Sequence, residues 1–538
     1  MTRSWRNAAI LLFVVSIPLG GLIGDRLLAL TDDTRDSLHL YTDLIVQARE
    51  AYGVDVSYRD LVYASINGML RTLDPHTNFL TPEALANMRE HQQSTYFGLG
   101  LLVGIRSGQL TVISPLEGSP AARQGVRAGD VISLIEGEPS EKLSLDEAVQ
   151  RLKGPKGTQV KITLLRRGFD HPLELTVTRA EIPQTTVRYA YMIEPGTGYI
   201  LLTDFARASG DEVATAIKKL RAQGMKRLLF DLRNNGGGLL DQAIDIADQF
   251  LPKNALVVET RGRTRDSFQQ FTAAGNHPAF DGPVVVLVNN GTASASEIVS
   301  GSIQDHDVGL IVGVPTWGKG LVQSVYNLSY GAGLALTTAK YYTPSGRLIQ
   351  RDYSSYLDYL YSHADGDDPD NKTPAQKTPP AGEQFSTDLG REVYGGGGIT
   401  PDVLAQADEV PEYAQYLFSH NTFFDYATER NNHQPPPNRD WKPGPDVLTD
   451  FEAWLERAKL GTKTEQEKAF ADAATRDFIL RQLRYEMFNG AFGLEAGHQV
   501  LAGGDHQIQT ALRQFDKAAS LLAQRQDLRE RKAQKTAG

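Results

Sequence analysis

The stretch "PVVVLVNN", Pro283 to Asn290, most limits what this chain can become. Its apolar residues run on without alternation, so a strand formed here suits a sheet buried on both faces. It leads directly into "GTASASEIVSGSIQDH", where Ser294-x-x-Glu297 precedes an apolar run and reads as a helix N-cap. Upstream, "RLLFDLRNNGGGLLDQAIDIADQFL" repeats the plan. A strand ends near Arg233, Gly236 to Gly238 make the turn, and Leu240, Ala243, Ile244, Ala247, Phe250 and Leu251 stripe one helix face. Strands and helices alternate from Gly198 to Tyr342, which marks an α/β layer.

At 538 residues the chain can hold several domains with full cores. A formal charge of -10 argues against a nucleic-acid partner, which would need a concentrated basic surface. Without cysteine there are no disulfides, thiolate zinc sites or cysteine nucleophiles. The 11 histidines form no HExxH pair, so no catalytic metal and no cofactor are expected.

Arg3 and Arg6 precede "NAAILLFVVSIPLGGLIG", Asn7 to Gly24, which carries no charge. The run is short for a bilayer span and long for a signal-peptide core. Leu22 occupies a position where a cleavage site wants a small residue, which favours an uncleaved anchor over a removed signal. Either way the remaining chain is expected to be exported. The expected location is the periplasmic side of a bacterial-type cell envelope, held to the inner membrane through residues 7–24.

The chain is read as a signal-anchor and linker (1–35), an N-terminal helical region (36–92) and a small β-domain (93–180). A catalytic core (181–353), a flexible Pro-, Gly- and Asp-rich insertion (354–394), a closing core segment (395–407) and a C-terminal helical region (408–538) follow. The last region reads as a helical cap, with a homo-oligomer or a docked partner as the alternative.

In the β-domain, "YFGLGLLV" sets a Gly-x-Gly turn ahead of a strand, and "SLDEAVQRLKG" is a helix opened by a Ser144/Glu147 capping box. Glycines before a strand leave backbone N–H groups able to cup a carboxylate. A strand beside an apolar helix face makes a slot for an extended peptide. These residues resemble a PDZ domain, a reader of polypeptide C-termini. The peptide-binding candidates are Phe97, Gly98, Leu99, Gly100, Leu145 and Val149.

"GVPTWGKG", Gly313 to Gly320, imitates a phosphate loop, yet Gly320 stands where that loop needs a magnesium-binding hydroxyl. Lys319 is then either a solvated cation or an amine doing proton chemistry. A lysine is charged at neutral pH and becomes a base only if its surroundings disfavour the ammonium. Trp317, Leu321 and Val322 are suitable company. Ser294, where a buried strand turns into a helix, occupies a position that elsewhere exposes a nucleophile.

"DLRNNGGG", "GTASASEI", "GVPTWGKGLVQ" and "YYTPSGR", in this order behind the β-domain, resemble the C-terminal processing peptidases, or tail-specific proteases. "GMLRTLDPHTNFLTPE" and "GGGGITPDV" extend the resemblance from about Asp36 to Asp402. It implies an α/β fold with a protease–crotonase-like layered core and an inserted PDZ domain. It further implies a serine–lysine endopeptidase that takes polypeptides with free apolar C-termini. By the same resemblance Ser294 is the nucleophile, Lys319 the general base and Gln323 its orienting partner. The oxyanion donors would be Ala295 and one of Gly237 and Gly238, with Gly238 preferred. Four residues of straight strand would separate Lys319 from Gln323 by about 13 Å, so a turn or bend is expected between them. The alternatives are a Ser–His–Asp hydrolase using His306 or His277, and a catalytically inactive PDZ peptide-binding scaffold.

Overall fold

The computed structural model describes residues 32–166, 168–276, 280–353 and 383–537. The anchor reading at 7–24, His277 and most of the 354–394 insertion lie outside them. Among the described residues no helix is long and apolar enough to cross a membrane.

The described residues fall into two compact units. One holds the chain up to Pro82 together with Ser324–Leu336. In it, helices Asp32–Ala51 and Tyr58–Leu70 precede a short strand, Asn78–Leu80. That strand pairs antiparallel with 333–335, Asn78 opposite Ala335 and Leu80 opposite Gly333. Ser324–Leu336, read from sequence as part of the core, groups here because this ladder satisfies its backbone.

The other unit contains the remaining elements. Its first sheet has strands β1 (Leu101–Arg106), β2 (Gln109–Pro115), β3 (Val131–Ile135), β4 (Gln159–Leu165) and β5 (Leu173–Thr178), in that spatial order. Helix α1 (Leu145–Leu152) packs beside β1 and β3. Its capping box forms as read: Ser144 N–H donates to Glu147 at 2.8 Å, and Glu147 N–H to Ser144 Oγ at 3.3 Å. Ala148 and Leu152 enter the domain core, while Leu145 stays exposed and Val149 half-buried.

The second sheet is the centre of the unit. Its strands β6 (Val187–Glu194), β7 (Thr197–Leu202), β8 (Arg227–Asp231), β9 (Val284–Val288), β10 (Gly309–Gly313) and β11 (Val403–Leu404) are neighbours in that order. Only the β6–β7 pair is antiparallel. Val284, Val286 and Val288 pack towards helices α2 (Ser209–Ala222), α3 (Leu240–Asp248) and α4 (Ala295–Asp305). Val285 and Leu287 face the other way, against Ile508, Ala511 and helix α5 (Phe515–Ala537). Both faces are therefore dry, which is why the sequence of β9 never alternates. The C-terminal helices supply one of the two covering layers. Farther from the sheet, Phe423, Tyr426, Phe451 and Trp454 anchor a core of their own within 412–492.

The end of the 354–394 insertion is more ordered than its composition suggests. Gln384–Ser386 and Glu392–Tyr394 form an antiparallel hairpin. Arg391 within it binds Asp307 at 2.6 Å and also reaches Asp402, pinning the hairpin to the core.

Arg347 is fully buried, and its guanidinium donates at 2.7 Å to both Asp305 and Gln304. Removing one partner of such a pair strands the other charge without water. Arg347→Met is expected to lower unfolding stability by about 3–5 kcal/mol. Adding Asp305→Leu should recover much of that loss. Urea unfolding of the single and double variants checks it.

Candidate active site

Three loops meet at the carboxyl ends of β8, β9 and β10, where open α/β sheets place their ligand crevices. The loop after β8 carries Asn234 to Gly238, that after β9 carries Asn289 to Ser294, and that after β10 carries Val314 to Gly320. They are laced by hydrogen bonds rather than by apolar contact alone. Thr292 Oγ1 donates to the Leu232 carbonyl (2.9 Å), and Trp317 N–H to the Thr292 carbonyl (2.9 Å). The Asn235 carbonyl accepts from Ala293 N–H (3.0 Å) and Ser296 Oγ (2.9 Å). Asn289 Oδ1 accepts from Asn234 N–H at 2.8 Å.

Glu297 is the most tightly held group of the three loops. Its side chain is fully buried on the first turn of α4. One carboxylate oxygen accepts from Ser294 N–H (2.8 Å) and Lys319 N–H (2.9 Å). The other accepts from Gly318 N–H (2.8 Å) and Thr316 Oγ1. The main-chain nitrogens of Ser294 and Lys319 are thus each within 2.9 Å of a single oxygen. Burial pushes the Glu297 carboxyl up from its ordinary value, while the Thr316 hydroxyl and the three N–H donors favour the ionised form. Those N–H groups can only donate, so both oxygens of the Glu297 carboxyl act as acceptors here. Sequence reading finds Glu297 only as half of a helix cap. Its second set of partners, about twenty residues downstream, carries no local signal.

Ser294 caps α4 with φ 56° and ψ -115°, a sparsely populated conformation for a residue with a side chain. It is half-buried. Ala295, the first residue of α4, has an N–H that no intrahelical carbonyl can meet. Gly237 lies directly against this turn. A Cβ there would fall 2.7 Å from Ala295 N and 2.8 Å from Ser294 Cβ, and its φ of 93° also disfavours a side chain. Its N–H is already donated to Asn235 Oδ1 at 2.9 Å. Gly238 N–H meets no acceptor among the described residues, so of the two candidate glycines Gly238 retains a donor.

Lys319 is half-buried, and its Nζ donates to Gln323 Oε1 at 3.3 Å. The expected turn between them does not form. Lys319 lies in extended loop, and Gln323 follows in the strand Leu321–Asn327. Lys319 precedes the strand and Gln323 lies within it, and the two long side chains meet across the interval. Trp317 lies under the Arg351 guanidinium, 3.9 Å from its ring centre, and Leu321 is buried.

His306 stands at the opposite end of α4, about 18 Å of helix from Ser294. Its Nδ1 faces Asp388 at 2.9 Å and its Nε2 the Leu256 carbonyl at 2.7 Å, so both ring nitrogens are committed. Burial disfavours its charge, but Asp388 and the Leu256 carbonyl outweigh burial and raise its pKa. It cannot serve Ser294 as a triad base.

In the β-domain, β1 is the edge strand, and α1 lies beside it. The carbonyls of Phe97, Leu99 and Gly100 accept from Gly154, Ala121 and Leu116 N–H, which turns this segment's carbonyls inward. Phe97 is exposed, and Gly100 has φ 73° with Ser119 packed where a Cβ would be. Leu99 belongs to the segment expected to offer backbone N–H groups. It is buried in the domain core, so only its backbone can face a peptide.

A buried strand turns into a helix at a strained serine, the backbone of Lys319 is tied to the carboxylate that caps it, and the comparisons give the class of protein: a serine-type peptidase carrying a PDZ domain. The model of peptidase family S41 matches residues 196–354, and that of the PDZ domain residues 111–166. The carboxy-terminal-processing protease of Bartonella bacilliformis is 39% identical over 322 residues, covering 59% of this chain and 74% of that protein. The carboxyl-terminal-processing protease of Synechocystis is 43% identical over 302 residues, covering 54% and 69%. The carboxy-terminal processing protease CtpA of Bacillus subtilis is 33% identical over 334 residues, covering 59% and 70%. This chain belongs to the carboxy-terminal-processing proteases of peptidase family S41.

Gly237→Ala should abolish most peptidase activity, with kcat falling about a hundredfold or more, because the methyl would displace the Ser294–Ala295 peptide. Steady-state kinetics on a folded sample checks it. An unchanged kcat would mean that the loop does not line the reacting centre.

Proposed function

We propose that this protein is an exported endopeptidase that takes substrates by their free C-termini and cleaves them near that end with a Ser294–Lys319 dyad. What carries the reading is the single Glu297 oxygen shared by the backbones of Ser294 and Lys319, with Lys319 Nζ on Gln323. The names of the relatives, processing proteases acting at carboxyl termini, support the same substrate class. Export rests on the uncharged run at 7–24 behind two arginines.

A substrate tail adds alongside β1 by backbone pairing. Its carboxylate meets the N–H groups of the Phe97–Gly100 turn, and its apolar side chains meet Leu145 and Val149. Selectivity for side chains is therefore loose. The upstream peptide bond reaches Ser294. Lys319 in its neutral form, with Gln323 orienting its Nζ, takes the proton from Ser294 Oγ as that oxygen bonds to the carbonyl carbon. The carbonyl oxygen gains the electron pair and accepts from the N–H groups of Ala295 and Gly238. Collapse breaks the C–N bond, and the Lys319 ammonium returns its proton to the leaving amine. Water then enters with Lys319 again as base, cleaving the Ser294 ester and restoring the enzyme.

Ser294→Ala and Lys319→Ala should each lower kcat/KM on a long substrate with an apolar C-terminus by about a thousandfold or more. His306→Gln should lower it by less than about tenfold. Full activity in Lys319→Ala would defeat the dyad. Deleting residues 96–179 should selectively impair cleavage of long tailed substrates, and unchanged cleavage would remove the PDZ domain from recognition.

A further inference from the structure

Arg525, on α5, is 7% exposed. Among the described residues no hydrogen bond or ion pair holds its guanidinium. Asp388 and Asp307 favour its charge from a distance, yet no acceptor meets it directly, which native structures seldom leave for a buried cation. The next turn of the helix adds Arg529, a like charge at a spacing that is itself unfavourable. The two arginines line a cavity of about 290 Å³ together with Lys253, Asn254, His306 and Asp388.

The charges in this cavity do not cancel. Asp388 is engaged by His306 at 2.9 Å, and nearby Asp307 by Arg391 at 2.6 Å. That leaves Arg525, Arg529 and Lys253 facing one small space. A single carboxylate would neutralise one of the three. A phosphate group brings close to two charges, and its tetrahedral oxygens match guanidinium donors in pairs. The site also lies at the end of α4 remote from Ser294, about 18 Å away along the helix. It is therefore separate from the peptidase centre and owes nothing to the dyad reading.

We infer that this cavity is a phosphate-binding site, with Arg525 as its buried anchor and Arg529 and Lys253 closing over the anion at its mouth. The phosphate is either a free phosphate or phosphomonoester, or the headgroup of a phospholipid.

The test uses the full chain and two probes at matched ionic strength, inorganic phosphate by calorimetric titration and phosphatidic-acid vesicles by co-sedimentation. The expected result is saturable binding of one probe, weakened at least tenfold in Arg525→Met. Binding of free phosphate assigns a soluble ligand, and binding of vesicles alone assigns a headgroup. Arg525→Met should unfold at the same or a higher temperature than the parent in phosphate-free buffer, since it removes a buried charge that no hydrogen bond or ion pair holds among the described residues. That measurement also establishes that the variant is folded. Failure of both probes to bind would overturn the inference, as would binding that survives Arg525→Met unchanged. Equal competition by acetate would overturn it too, since the site would then take carboxylates.

Discussion

One carboxylate organises the catalytic end of this molecule. Glu297 accepts four hydrogen bonds, from the backbones of Ser294, Gly318 and Lys319 and from Thr316. A charge taken out of water normally costs several kcal/mol, and here four donors offset part of that cost. The consequence is positional. The turn that presents Ser294 and the loop that presents Lys319 come from different strands, yet neither can drift without breaking a charged hydrogen bond. The strain in the Ser294 backbone is held in place by the same contact.

Around that centre the C-terminal region does more than cap a bundle. It covers one face of the main sheet through Ile508, Ala511 and Phe515. It also reaches the loop that carries Gly237 and Gly238. Arg233, just ahead of that loop, is gripped by Asp231 and donates to Asp505 (2.8 Å) and Gln507 (2.9 Å) from the C-terminal helices. Gln507 in turn donates to the Ala405 carbonyl beside β11. The sheet, the glycine turn and the last helices thus share one hydrogen-bonded seam.

Much of this is legible in local pattern. The unbroken apolar run at Pro283 to Asn290 implies two covering layers, and the Ser144/Glu147 cap and the PDZ-like glycine turn are visible as short-range signatures. What local pattern cannot supply is the partner of a buried group. Glu297 looks like an ordinary cap because its other donors lie about twenty residues on, across a strand and a loop. The identity of the second covering layer is hidden for the same reason, since nothing near β9 says that helices beyond residue 500 will reach it. The Lys319–Gln323 pair is legible in the sequence, but its physical cause is not. Two long side chains, one just ahead of the strand and one within it, meet where a turn was anticipated.

The direct test of Glu297 as the element that holds Ser294 and Lys319 together is the rate at which an active-site-directed fluorophosphonate phosphonylates the enzyme. It is measured in the parent and in a folded Glu297→Gln variant. The amide keeps the size of the carboxylate but in either orientation turns an NH2 group against at least one backbone donor. The expected result is a rate lowered about a hundredfold or more with secondary structure retained. An unchanged rate in the folded variant would mean that the site keeps its shape without that carboxylate, and would contradict the central role assigned to Glu297.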